Sequence, residues 1–367
     1  PPRRAFGASP PGGRRTRPGE AGCAATPAGL QHPNSPTSTQ TTSGRVWIIA
    51  AIVIAALCLM PFFFKNYRVF QYTLMLIYAI AILGLNILTG FNGQISLGHG
   101  AFYAIGAYTA AIMMEHAGWP YWSTLPIAAL VCFGVGYLMG FPALRLGGHY
   151  LALATFALAV AMPQMLKYKL IEGWTGGVQG IVLTKPEAPF ELRLFDQPLS
   201  PDRWLFIFTL LVGALMFWLA WNLLRGRVGR ALVAIRDHPI AASAMGINLP
   251  VYKSMAFGVS AAYTGVAGAL GGIAVAFVSP DSFTAFLSIS LLVGVVVGGL
   301  GTIWGALFGA AFIQFIPNVA DEISKSAPWA IYGVCLILLM VLAPSGAMGL
   351  IGRFYPRFFN SRKETTR

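Results

Sequence analysis

Residues 229–250 read GRALVAIRDHPIAASAMGINLP, a charged and punctuated stretch between two runs, 204–224 and 254–278, that are apolar on every face. A segment of this kind has no place in hydrocarbon, so it divides two membrane spans and lies outside the bilayer. Within it, Asp237 and His238 precede Pro239, which reads as a capping side chain followed by a proline in the first helical turn. IAASAM supplies a turn or two of helix, Gly246 suits the left-handed residue past a helix end, and Pro250 stops continuation. The predicted helix, 239–245, is too short to be stable alone in water, so it leans on its own chain or on a partner. A row of Ala and Ser favours a partner, because small side chains let another backbone approach; a merely solvated helix would be filled with Glu and Lys. The alternative is a capped surface turn.

Outward from this point the chain is apolar. Of 367 residues 56% are hydrophobic and 10% charged, and the apolar runs reach the roughly 20 residues that cross a bilayer core. Candidate spans lie at 46–64, 69–88, 95–114, 124–142, 150–166, 204–224, 254–278, 286–299, 302–317 and 328–343. The stretch 286–317 is long for one helix and short for two; Gly298, Gly299 and Gly301 mark a break, which two spans or a re-entrant hairpin would share. The expected fold is an all-α polytopic membrane protein of about ten transmembrane helices. A basic, Ser/Thr/Pro-rich tail at 1–45, too poor in apolar residues to repay ordering and not read as a signal peptide, precedes a permease-like body at 46–350 and a basic tail at 351–367.

Charge sets the orientation. Residues 1–45, 225–253 and 353–367 together hold the entire net charge of +13, while the loop 167–203 has five basic and five acidic residues. Positive charge beside spans marks the cytoplasmic side, and ten spans place both termini and 225–253 there together. The basic balance is thus a membrane signature, and no aromatic and basic stripe suggests a nucleic-acid partner. Cys23, Cys58, Cys132 and Cys335 show no metal-ligand or disulfide spacing.

A second informative stretch is GFNGQISLGHGAFYAIGAYTAAI, 90–112. Gly98 and Gly100 permit close helix packing or a broken helix, and Asn92, Gln94, Ser96 and His99 are polar groups in or beside the membrane. They either face a substrate path or bond to backbone. His99 has no partner at metal-ligand spacing. The loop TGGVQGI at 175–181 offers Thr175 and Gln179 as further path or docking residues. GHGAFYAIGA at 98–107 and WGALFGAAF at 304–312 are weakly alike, which hints at two related five-helix halves with broken Gly-rich helices.

With LRLGGHYLALATFALA at 144–159, SPDSF at 279–283 and GGLGTIWGALFGA at 298–310, these stretches resemble the branched-chain amino acid ABC transporter permease family, in particular the larger of its two paralogous permeases. The resemblance covers residues 45–350. It implies a transport subunit, not an enzyme, in a bacterial inner membrane. Its partners would be a second paralogous permease, two ATP-binding subunits and an extracytoplasmic substrate-binding protein, with membrane lipid around it. The chain would bind no cofactor of its own, ATP sitting on the partner subunits; in agreement, no Lys follows a Gly anywhere, so there is no GxxxxGK[ST] phosphate loop. The helix at 239–245 becomes a coupling helix, with Asp237, Pro239, Ala241, Ala242 and Gly246 as its candidate residues. Relatives that carry urea or short amides leave the cargo open. Glu115, Asp281, Asp321 and Glu322 fall at span ends, which counts against a proton-coupled secondary transporter; a channel built on backbone carbonyls is the other rival.

Overall fold

A computed structural model of the chain describes residue 58 and residues 60–354, apart from 63, 146–147, 188–192, 195–196, 199, 324, 326–327 and 344–345. The tail at 1–45 and most of the first predicted span lie outside the described residues. Each of the other nine predicted spans coincides with a helix. The chain runs through α1 (Asn66–Asn86), α2 (His99–Ala117), α3 (Tyr121–Arg145), α4 (Gly148–Leu166) and the short α5 (Glu172–Thr175). It continues through α6 (Pro201–Arg225), α7 (Arg227–Asp237), α8 (Pro239–Ala244), α9 (Leu249–Val275), α10 (Ala285–Gly298), α11 (Gly305–Ile323), α12 (Pro328–Leu342) and α13 (Gly346–Phe354). Among the described residues six stretches are long and apolar enough to cross a membrane by length and composition, including Asn66–Phe91, Pro201–Arg225 and Leu249–Val275.

The helix α9 is the axis of the bundle. It is closed in by α1, α2 and α3, and nearly every residue from Ser254 to Ala274 is buried. Helices that are apolar all round gain little from hiding apolar surface from lipid, so they associate through close van der Waals contact, which small residues permit. Gly84 of α1 sits where a Cβ would lie 2.6 Å from that of Tyr263 and 2.9 Å from the Ser260 carbonyl. Gly106 of α2 meets the Gly265 backbone, Gly268 meets that of Tyr103, and Gly136 of α3 meets Ala261. The small residues are therefore contact surfaces, not gaps.

Two helices are interrupted. After Asn86, α1 passes into a π-helical turn, Ile87–Phe91, and the chain is then irregular until α2 starts at His99. The expected span 95–114 thus starts four residues late, because residues 95–98 connect two helices. Between α10 and α11 the chain breaks at Gly299–Trp304, with Gly299 at φ 113° and Gly301 at φ 73°, so 286–317 is two helices meeting at the predicted glycines.

At the far end of α9, Ala276 stops the helix at φ 59°. There β4 (Phe277–Val278) pairs antiparallel with β1 (Ile181–Val182), Ile181 opposite Val278, and the Leu183 N–H donates to the Ala276 carbonyl at 2.9 Å. A Lys167–Asp281 ion pair at 2.5 Å adds a second tie between these loops. A separate two-stranded ladder joins β2 (Arg193–Leu194) to β3 (Gln197–Pro198).

Candidate functional site

The polar stretch that opens the sequence forms α7 and α8 at the N-terminal end of α9. Along α7, Leu232 and Ile235 are buried together with Gly229 and Ala231, while Arg230 and Arg236 face out. An amphipathic helix of this kind lies against the bundle and does not enter it. His238, at φ −148°, ends α7 and precedes Pro239, the first residue of α8. Asp237 does not cap α8: no side chain does, and its carboxylate accepts from Arg236 Nε at 2.9 Å. The neighbouring guanidinium offers a charged donor, which outcompetes a neutral N–H.

The C-terminus of α8 matches expectation. Gly246 takes φ 85°, its N–H donates to the Ser243 carbonyl at 3.0 Å, and the Ile247 N–H donates to that of Ala242 at 3.1 Å. These two bonds form a Schellman motif that turns the chain sharply into α9, where the Asn248 side chain accepts from the Val251 N–H at 3.4 Å. No atom lies within 4 Å of the Cβ position at Gly246, so a substitution there acts through backbone conformation alone. Gly246→Val is expected to cost about 1–2 kcal/mol in the left-handed region and to impair uptake, whereas Gly246→Asn should transport nearly as well as the unaltered chain; equal uptake by both variants would contradict a role for the turn.

The faces of α8 differ from the expected pattern. Ala242 is 4% exposed and packs into its own chain, whereas Ile240 is 86% and Met245 84% exposed. Ala242 is thus not available to a partner. A six-residue helix of small residues gives no hydrophobic contrast from which its facing can be read. The exposed apolar groups of this segment are Pro239, Ile240, Ala241, Ala244 and Met245, of which Ile240 and Met245 are large.

The predicted polar residues of 92–100 are brought together, and most of them bond within the chain. Ser260 donates to the Gly84 carbonyl at 2.6 Å and lies 2.6 Å from His99 Nε2; having donated, it must accept from that nitrogen. His99 Nδ1 is then the acceptor for Ser96 Oγ at 3.1 Å, and Ser96 Oγ accepts from the Gly98 N–H at 3.3 Å. One closed relay therefore joins α1, α2 and α9 through fully buried groups. Gly98 lies on the Thr155 backbone of α4, and the Gly100 N–H donates to Ser288 Oγ of α10 at 2.8 Å. Ser96, Gly98, His99 and Gly100 are thus junctions between helices, the second of the two readings their sequence allowed. Ser260→Ala would orphan a buried donor and a buried acceptor at a cost of about 2 kcal/mol. We expect it to lower the thermal midpoint in detergent by a few degrees, with no change expected if the relay is decorative.

Asn92 and Gln94 are also buried, Asn92 Nδ2 donating to Gln94 Oε1 at 2.8 Å, but Asn92 Oδ1 has no partner among the described residues. Near them lies a clamp missed in the sequence: Asn86 Nδ2 donates to the Thr302 carbonyl at 2.7 Å, and its Oδ1 accepts from the Gly301 N–H at 2.9 Å. One amide thereby fastens the end of α1 to the α10–α11 break. At the other end of the bundle Thr175 is buried, its hydroxyl donating to the Leu166 carbonyl at 2.8 Å, a bond that closes the loop; Gln179 is exposed. A cleft of about 220 Å³ opens there between α1, α10, α11 and α12, with hydroxyl groups of Ser282, Thr284 and Ser290 beside the apolar walls of Leu287, Leu291 and Ile313. Among the described residues no cluster of His, Cys, Asp and Glu could hold a metal ion.

Residues 67–343 match the family described as the permease component of branched-chain amino acid transport systems. The chain belongs to this family. It is 33% identical over 328 residues to the high-affinity branched-chain amino acid transport system permease protein LivM of Escherichia coli K12, covering 84% of this chain and 76% of that one. The LivM protein of Salmonella typhimurium gives the same figures. The autoinducer 2 import system permease protein LsrC of Escherichia coli O9:H4 is 25% identical over 319 residues, covering 82% of this chain and 87% of that one. No solved structure matches. As a member of this permease family the chain is a multi-pass membrane transport subunit and not itself an enzyme.

Proposed function

We propose that this chain is one of two paralogous permease subunits of an ABC importer for branched-chain amino acids, driven by two separate ATP-binding subunits and supplied by an extracytoplasmic binding protein. The observation that carries the reading is α8, a capped helix outside the bundle whose exposed Ile240 and Met245 need a partner to leave water. Ten spans in two related halves belong to this reading, as do cytoplasmic termini and a cytoplasmic α8. Cysteines placed at Gln179 and Ser243, both exposed, should then react with an impermeant reagent from opposite sides of the membrane; reaction from one side would overturn the topology. The 220 Å³ cleft, apolar with a hydroxyl rim, suits passage of a small molecule with an aliphatic body, and Asn92 and Gln94 remain candidates for the path below it. LsrC relatives named for a different cargo keep a second cargo in view, as does the resemblance to urea and short-amide permeases.

The test is purification of the tagged chain with its neighbours, followed by ATP-dependent uptake of labelled leucine into proteoliposomes with unlabelled isoleucine, urea or acetamide as competitors. Copurifying ATP-binding subunits and competition by isoleucine support the proposal. Competition by urea or acetamide alone would move the cargo to amides, and uptake by the isolated chain without ATP would favour a channel or secondary transporter.

A further inference from the structure

We propose that Arg236 is a positioning residue that links the coupling segment to both helix breaks, so that displacement of α8 is delivered directly to backbone at Gly90 and Gly301. The proposal rests on the coupling reading of α8 given above. Only Asp237 and His238 separate Arg236 from Pro239, the first residue of α8, and the carboxylate of Asp237 holds the guanidinium at Nε, 2.9 Å away. Arg236 is exposed as a residue, yet the far side of its guanidinium reaches into the bundle, where Nη1 donates to the Gly90 carbonyl at 2.8 Å.

Gly90 needs that donor. In a continuing α-helix its carbonyl would accept from the N–H of Gln94, but the π-helical turn redirects that N–H to the Leu88 carbonyl at 3.2 Å. The orphan carbonyl at a helix C-terminus carries partial negative charge, and a cation there satisfies both the hydrogen bond and the dipole. The arginine stem is fitted as closely as its head. Gly93, at φ 73°, has Arg236 Cγ 2.9 Å from the position of a Cβ, and the Cβ position of Gly301 lies 3.6 Å from Arg236 Nη1. Gly301 is in turn the residue that Asn86 clamps. Arg236, Gly90, Gly301 and Asn86 thus form one contiguous set at which α1, α7 and the α10–α11 break meet.

A fork of donors in one plane can hold Asp237 and Gly90 at the same time in fixed geometry; a lysine reaches one partner at a time. The segment is therefore unable to shift relative to the breaks without losing a charge-assisted hydrogen bond, and it carries them with it instead. The positive charge of Arg236, which in sequence reads as one more topology determinant, has a specific mechanical partner.

The test uses the full complex, with both permeases, the ATP-binding subunits and the binding protein, in proteoliposomes. Arg236→Ala is expected to keep the ATP-binding subunits and basal ATP hydrolysis within about two-fold, while substrate taken up per ATP falls about ten-fold, the scale of one lost charge-assisted hydrogen bond. Arg236→Lys should be intermediate. An unchanged ratio of uptake to hydrolysis in Arg236→Ala would overturn the proposal, and so would loss of the ATP-binding subunits, which would make Arg236 a docking residue. If Arg236→Ala does not accumulate in membranes, Arg236→Lys decides alone: a ratio equal to that of the unaltered complex rejects the link and a reduced one supports it. Ile240→Arg keeps the two readings apart. Retention of the ATP-binding subunits by Ile240→Arg defeats the coupling reading itself, whereas their loss from Ile240→Arg together with an unchanged ratio in Arg236→Ala defeats only the link.

Discussion

Gly106→Leu is expected to leave almost no folded permease in a detergent extract. A Cβ on Gly106 would fall on the backbone carbonyl of Gly265, and the leucine adds three further carbons beyond it. No side chain at that contact can rotate away, because the opposing surface is main chain, so α2 and α9 have to separate. Overpacking of this kind costs about 1–3 kcal/mol, or more where backbone must move, against a total stability of roughly 5–15 kcal/mol. Separation would also strain the His99–Ser260 junction beside it. Gly134 supplies the control, because no atom lies within 4 Å of its Cβ position. Gly134→Leu should extract as a single species with near-normal yield; similar yields for the two variants would mean that α2 and α9 do not meet through backbone.

The second large effect is expected at α8. Ile240→Arg places a charge where an exposed isoleucine would otherwise enter a partner's groove, and buried anchors of this type are worth at least about 2 kcal/mol, or roughly thirty-fold in affinity. Uptake should fall below detection and the ATP-binding subunits should be lost during purification. The membrane yield of the chain should stay near normal, since Ile240 is largely free of its own bundle. Ala242→Arg makes the contrast: with Ala242 packed inward, that variant should lose yield as well as uptake. If Ile240→Arg transports normally, α8 is only a surface turn.

Much of the fold is legible in the sequence, and the reason is hydropathy. Apolar runs of about 20 residues have one stable form in lipid, so 204–224 and 254–278 mark α6 and α9 to within a few residues. Glycines with positive φ are legible too, and Gly246 and Gly299 end their elements as read. What is hidden depends on distant partners. Asn86 sits in an apolar run with nothing nearby to mark it, and its bonds are made to residues more than 200 positions later. Ser260 is one small residue among many on α9 until His99 is placed against it. Asp237 reads as a cap because its spacing to Pro239 is right; Arg236, adjacent in sequence, decides otherwise. His99 reads as a polar group that either faces a path or bonds within the chain, and only the distant Ser260 reveals that both ring nitrogens are paired.

The contacts of α9 have a mechanical meaning. Side chains in a packed interface can change rotamer and absorb a push, which makes the interface compliant; main-chain atoms meeting at Gly106–Gly265 and Tyr103–Gly268 have no such freedom. The 27 residues of α9 therefore behave as a stiff rod about 40 Å long, gripped near its middle. One end carries the turn from α8 and the other carries β4 and the β1 loop. A tilt imposed at the first end arrives at the second with little loss, so the two ends of the bundle are geared together by a single helix.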